Sequence, residues 1–299
     1  MLKFAFVCYS KMTLINKSQT NRLLGYPADA RLLLINADDF GMCHAINSAI
    51  FRTLTEGVVR STTLMMPCPW AVHAIHLLKA HPDMAFGVHL TVICDTVHYK
   101  FGPLTPKHKV SSLIDEAGYF YSFERMAEFL TQAKLAELET EFRAQIETVL
   151  AAHTLRKPTH LDWHCLRFGG RLDIFDLMLG LAKEYGLALR VVGQPLIEKV
   201  QHQGLPTNDY DFMDSFRIDL VDKPARYAQM LRELSAGLTE WAVHPGLGNP
   251  ELQAIQPDGW PVRQTDFDFL MSQAAQDVIQ EEGIMLVDYR PLQAIWSGK

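Results

Sequence analysis

Apolar runs and helical stripes alternate along most of the chain. Leu32-Leu-Leu-Ile35 passes without interruption into Asn36-Ala-Asp-Asp-Phe-Gly41. That is the pattern of a strand buried on both faces, as in a parallel sheet. After Gly41, residues Ala45, Ile46, Ala49, Ile50 and Leu54 repeat at the spacing of one helix face, and Gly57 stops the run. Residues 58–66, rich in Val and Thr, predict a second strand, ended by Pro67 and Pro69. A helix is expected over 71–80 and a third strand over 84–92. Residues 94–123 hold no long period and carry Gly102, Pro103, Pro106 and Gly118, which predicts a long loop of the kind that usually serves function. Residues 123–152 form an amphipathic pattern of one or two helices. Further strands are expected at 159–164, 187–192, 241–244 and 284–288, with helices at 174–185, 224–236 and 265–281.

Alternation of this kind implies an α/β fold with a parallel sheet and helices outside it. With about seven strands and no internal break, we expect a single-domain irregular (β/α) barrel, an open doubly wound sheet being the alternative. Residues 1–19 are read as a weakly ordered N-terminal extension, and 20–299 as the barrel domain. The first strand is not followed by Gly-x-Gly-x-x-Gly, and no Gly-Lys-Ser/Thr occurs, so the phosphate-binding loops of dinucleotide and nucleoside-triphosphate enzymes are missing.

Chemistry-bearing residues gather at the predicted strand ends. Asp38 and Asp39 close the first strand, His89 the third, His160 and His164 the fourth, and His244 the sixth. Two adjacent aspartates repel one another, so a cation or a shared proton would offset the cost. They fit one metal ligand plus one general base; a solvated turn before Gly41 would use the same residue types. In a barrel the carboxyl ends of the strands converge on one mouth, where one Asp and two His make a site for Zn²⁺ or another divalent metal.

Composition narrows the partners. The chain has 299 residues, 48% of them hydrophobic, and a net charge of -6. No Lys/Arg-rich block occurs, which argues against nucleic acid, and no apolar run approaches a membrane span. The five cysteines stand singly, which fits a reducing, cytoplasmic setting better than a disulfide framework. Nothing in the composition decides whether the chain works alone or as a homodimer.

Four motifs then carry a resemblance: Asn36–Gly41, Gly87-Val-His-Leu-Thr91, Thr159-His-Leu-Asp-Trp-His164 and His244-Pro-Gly246. Together they resemble the YdjC-like carbohydrate deacetylases, distant relatives of the polysaccharide deacetylases. The resemblance covers about 21 to about 289, and the stretch 70–106, with Phe101-Gly-Pro-Leu-Thr-Pro106, is similar to one bacterial branch. It implies a distorted barrel that holds one divalent metal ion, Zn²⁺ or Mg²⁺, and removes N-acetyl groups from chitooligosaccharide-like sugars. Carried over by motif, Asp39, His89 and His164 would bind the metal. Asp38 would be the base, His244 the acid, and Arg263 a basic residue that orients Asp38. The fourth-strand motif departs from the usual Asp-Ser-His, because Trp163 stands in the middle and Cys165 and Leu166 follow. His160 and Asp162 are then supporting residues, and Cys165 is expected to point away from His164. Trp163 and Phe101 are the candidate substrate contacts. The rival readings are another metal-dependent amidase or phosphoesterase, or a non-catalytic sugar-binding protein.

Overall fold

The computed structural model describes residues 19–152, 156–166 and 171–298. The expected extension therefore lies, except for Gln19, outside the described residues. In chain order the elements are α1 (Gln19–Leu24), β1 (Arg31–Phe40), α2 (His44–Thr55), β2 (Ser61–Leu64), α3 (Ala71–Ala80) and β3 (Ala85–Leu90). There follow β4 (Ile93–Cys94), β5 (Tyr121–Ser122), α4 (Met126–Gln132), α5 (Leu135–Ala152), β6 (His160–Trp163), α6 (Leu172–Tyr185) and β7 (Ala188–Leu189). The chain ends with α7 (Gln194–Gln201), β8 (Met213–Asp214), α8 (Lys223–Arg232), β9 (Gly237–Val243), α9 (Pro250–Ile255), α10 (Trp260–Leu270), α11 (Gln273–Glu281), β10 (Met285–Val287) and α12 (Arg290–Trp296).

Among the described residues, eight strands form one curled sheet in the order β7-β6-β3-β2-β1-β9-β8, with β10 beside β1. Every pairing in it is parallel. β1 is the spine. β9 covers one edge from Arg31 to Ala37, while β10 and then β2 share the other, against Leu32–Leu34 and Asn36–Phe40. This is the expected irregular (β/α) barrel, left open between β7 and β8. Side chains bridge that opening: Asn208 accepts from the Val191 amide (3.2 Å) and donates to the Val191 carbonyl (2.7 Å), and Thr207 donates to the Leu189 carbonyl (3.0 Å).

The sequence pattern misses β8, α7, α9 and α12, all too short to show a period. The pattern over 265–281 resolves into two helices, α10 and α11, because Ser272 caps the second by accepting from the Ala275 amide at 3.2 Å. The expected loop after β3 is more ordered than its composition suggests. β4 and β5 pair as a small second sheet. The buried carboxylate of Glu141 accepts from the Leu104 and Thr105 amides, at 3.1 and 3.0 Å. Polar anchoring of this kind leaves no hydrophobic period.

The outer shell is ordinary apolar packing, but the inside of the curl is polar. Asn36, Asp38, Thr63, His89, Asp162, Arg190 and Glu240 are all buried and hydrogen-bonded or ion-paired to one another. Gly87 belongs to this layer because its neighbour fills the space. A Cβ there would lie 2.6 Å from the ring of His160, which stacks on Tyr289 at 3.5 Å.

Candidate active site

At the carboxyl end of β1 the ladder with β2 slips between Ala37 and Phe40. Asp39 lies there at φ 73°, a left-handed conformation unusual for a non-glycine residue, and Gly41 follows at φ 102°. A Cβ on Gly41 would come within 3.1 Å of the Ala71 Cα, so only glycine fits. The bulge breaks strand alternation. Asp38 and Asp39 therefore face one cavity of about 510 Å³ while taking different partners.

Asp39 meets the histidines. Its Oδ1 lies 3.3 Å from His89 Nε2 and 3.1 Å from His164 Nδ1. Its Oδ2 accepts from Arg263 Nη2 at 2.6 Å. Each histidine is braced at its other nitrogen. His89 Nδ1 lies 2.6 Å from Asp162 Oδ1, its register partner on β6, and His164 Nε2 lies 2.9 Å from Asp95 Oδ2. Arg263 also donates through Nε to Gln256, which in turn donates to Asp95 at 3.0 Å.

Asp38 belongs to a second group. Arg190 grips it with two parallel bonds of 2.7 and 2.8 Å, and Asn36 donates to its Oδ1 at 2.7 Å. The same guanidinium lies 3.0 Å from Asp162 and donates to Glu240 at 2.6 Å, and Tyr289 donates to the other oxygen of Glu240. Across the cavity His244 presents Nε2 at 3.9 Å from Asp38, while its Nδ1 lies 2.8 Å from the Ser215 hydroxyl. Phe123, Trp163, Phe212 and Phe216 line the cavity as apolar walls.

The charges follow from this wiring. Burial acts to raise the pKa of Asp38, but the charge and hydrogen bonds of Arg190, with His89 and His244 nearby, hold it well below the usual carboxylate range. Asp39 is also held low: burial opposes this, and Arg263 and the two histidines overcome it. Burial acts to lower His89, yet Asp162 above all raises it to about 9. Burial keeps Glu240 above its ordinary value despite Arg190, and drives His160 well below its own.

Three donor groups are compact enough for a metal: Asp39/His89/His164, Asp95/His164/Cys165 and Asp38/His89/Asp162. The first fits best. Its O···N separations of 3.1 and 3.3 Å are those of neighbouring ligands around one ion at bonds of about 2.0–2.2 Å. The ring nitrogens turned away from it already have carboxylate partners, as metal-bound imidazoles usually do. The other two groups contain the residues that brace the first.

Several placements differ from the sequence reading. Arg263 holds Asp39 rather than Asp38; the residue that orients Asp38 is Arg190. Phe101 does not line the cavity. It is buried against Phe120, its amide bonded to the Cys94 sulfur, because it anchors the segment after β4. Trp163 does line the cavity. Cys165 turns back toward His164, 3.3 Å from its Nε2, because β6 ends at Trp163 and Cys165 adopts φ 61°. Asp162 braces His89, and His160 packs on Tyr289, both in supporting places. Arg190, Asp95, Glu240 and Ser215 escape the motif reading. Arg190 carries a signal nonetheless, as the one charge in the otherwise apolar run 187–192.

Comparison with known proteins places the chain in a family. Residues 32–281 match the model of the YdjC-like protein family. A carbohydrate deacetylase of Enterococcus faecalis is 30% identical over 267 residues, 87% of this chain and 97% of the relative. A chitooligosaccharide deacetylase of Yersinia enterocolitica is 32% identical over 178 residues, 60% of this chain and 64% of the relative. A crystal structure from Enterococcus faecalis, provisionally described as a cellobiose-phosphate cleavage protein, superposes with a TM-score of 0.74 at 29% identity. It covers 88% of this chain and 99% of its own.

Proposed function

The chain belongs to the YdjC-like family, and from that premise we propose that it is a metal-dependent carbohydrate deacetylase. Its substrate is an N-acetylated sugar or short chitooligosaccharide-like chain, and its reaction is hydrolysis of the acetamide to acetate and a free amine. The observation that carries this reading is the division of labour between adjacent aspartates: Asp39 is turned to two histidines, Asp38 to Arg190 and toward His244.

Asp39, His89 and His164 would hold the cation, and two imidazole nitrogens with one carboxylate oxygen suit Zn²⁺ better than Mg²⁺. Such an ion supplies Lewis acidity, which polarises an acetyl carbonyl and eases deprotonation of water. Asp38, kept ionised by Arg190, accepts the proton of the attacking water. A carboxylate held that low is a weak base, so its task is to position and receive rather than to pull. His244, at the far wall of the same cavity, gives its Nε2 proton to the departing nitrogen, which is a poor leaving group until protonated. The aromatic walls, Trp163 among them, offer flat apolar faces to sugar rings. A phosphoesterase reading is disfavoured because it needs uncommitted cations at the mouth. Arg190 and Arg263 are instead bound to Asp38 and Asp39. Acetate release from N-acetylglucosamine oligomers by the metal-loaded protein tests the proposal; turnover of a phosphate ester without acetate release would replace it.

A further inference from the structure

His164 is held at both ring nitrogens, and the two ends face different chemistry. Nδ1 lies 3.1 Å from Asp39 Oδ1, in the nitrogen–oxygen group proposed for the resident ion. Nε2 points the other way, 2.9 Å from Asp95 Oδ2 and 3.3 Å from Cys165 Sγ. These atoms form a second compact donor group: Asp95, His164 and Cys165 keep their ligand atoms within 4.8 Å of one another. The thiol reaches this place through the backbone. β6 ends at Trp163 and Cys165 takes φ 61°, so its side chain turns back instead of following strand alternation. Of the three described non-glycine residues at positive φ, two are Asp39 and Cys165, one against each nitrogen of His164.

The group is reachable as well as compact. Asp95, His164 and Cys165 all line the cavity, and the Asp95 side chain keeps 12% of its surface exposed. Asp95 is fixed from behind, because its Oδ1 accepts from Gln256 at 3.0 Å. A carboxylate oxygen, an imidazole nitrogen and a thiolate are ligands that zinc and softer ions take, and the cavity side is left open for a fourth. The 3.3 Å between Nε2 and Sγ is that of neighbouring ligands on bonds of about 2.0–2.3 Å. Nε2 and Oδ2 need part only slightly as an ion replaces the hydrogen between them. We propose that Asp95, His164 Nε2 and Cys165 form a second metal site, selective for soft divalent ions, whose occupation inhibits the enzyme. The imidazole and thiol hydrogens leave to solvent. His164 then bridges two ions, with Nδ1 on the resident one and Nε2 on the second.

Inhibition follows from what the second ion takes. It uses the carboxylate that braces His164, so the ring is shared between two ions and loses its support from Asp95. It also sits in the cavity beside Trp163, on the wall offered to the sugar. Mg²⁺ prefers oxygen ligands and does not suit a site with sulfur, whereas Cd²⁺ and excess Zn²⁺ do. Binding at this site does not rest on the deacetylase reading; only the loss of acetate release does.

The test titrates the metal-free full chain with Co²⁺ and reads ion number and sulfur ligation directly. The unmutated protein should take about two ions per chain, the weaker one bringing a thiolate-to-metal charge-transfer band. Cys165→Ser should take about one ion and lose the band. Inhibition is then measured with Cd²⁺ on an N-acetylglucosamine oligomer, each protein being compared with its own activity at one ion per chain. The Cd²⁺ concentration that halves acetate release should rise at least about tenfold in Cys165→Ser. Mg²⁺ at the same concentrations should not inhibit the unmutated protein. If Cys165→Ser does not fold, alkylation of the unmutated protein decides: Cd²⁺ should protect Cys165 from iodoacetamide and Mg²⁺ should not, as read by peptide mass spectrometry. A single ion per chain, the absence of a band that Cys165→Ser removes, equal Cd²⁺ inhibition of both proteins, or alkylation of Cys165 undiminished by Cd²⁺ overturns the second site. Absence of acetate release from the unmutated protein at one ion per chain would instead overturn the deacetylase reading, with ion number and band still deciding the second site.

Discussion

The two sides of the cavity are built on different plans. On the Asp39 side, the ends of β1, β3 and the turn after β6 bring Asp39, His89 and His164 together, and every one is buried and braced by a charged partner. On the His244 side, the supporting groups come from the turn after β8, from α8 and from α10, and His244 itself keeps 14% of its side chain exposed. The first side is a rigid cage suited to holding an ion at fixed distances. The second couples a reachable proton carrier to a buried hydroxyl, which suits a group that must change charge. Arg190 joins the two, because one guanidinium grips Asp38 and touches Asp162, the brace of His89.

Arg190→Met should therefore break the comparison most severely. It leaves Asp38, Asp162 and Glu240 buried without their shared cation, and we expect a loss of about 3–5 kcal/mol in urea or thermal unfolding. The pH dependence should change sign. In the unmutated protein the pKa of Asp38 is depressed, so its contribution is present above the ordinary carboxylate pKa of about 4 and fades as pH falls through the folded value. In the variant, burial without Arg190 raises Asp38 and Glu240, so the deficit should grow as pH rises. A smaller deficit at about pH 8 than at about pH 5 would contradict the assignment.

Next come the aspartates as a pair. Asp38→Asn should lose about 10²–10⁴-fold in kcat while elemental analysis still finds the metal. Asp39→Asn should lose the metal. If Asp38→Asn is equally empty, the two sides are not separate. A step smaller, His244→Ala should lower turnover of an N-acetylated oligomer by about 10²-fold, yet lower that of an activated ester much less, because an activated phenol leaves without a proton. Equal losses on both substrates would make His244 a structural residue. The smallest effect should belong to the wall: Phe123→Ala, 54% exposed at the mouth, should raise KM about three- to tenfold with kcat nearly constant.

The Asp39 side was the more legible in sequence, and the reason is geometric. Its residues lie at the ends of long or strongly apolar strands, where an apolar run stops at a polar residue, and three of the four short motifs mark them. The expected barrel with its parallel strands came from the same periodicity. The His244 side was harder to read. β8 has two residues, too few for any period, and Ser215 and Tyr227 are ordinary residue types in ordinary places. Arg263 shows the limit of a motif match: the residue lies in the site but serves the neighbouring aspartate. Phe101 shows the converse, a motif residue that builds the core of a loop instead of the cavity wall.

The opening between β7 and β8 has one more consequence. Elsewhere the barrel is stitched by backbone ladders, but here the carboxamide of Asn208 impersonates a peptide unit for Val191. A seam closed by side chains unzips more cheaply than a strand pair, so hydrogen exchange at the Val191 amide should proceed by local opening, well ahead of Leu33 or Leu34 at the spine. The segment just past that seam leads to Ser215, the partner of His244. Asn208→Ala should therefore speed exchange at the Val191 amide while leaving the spine amides protected.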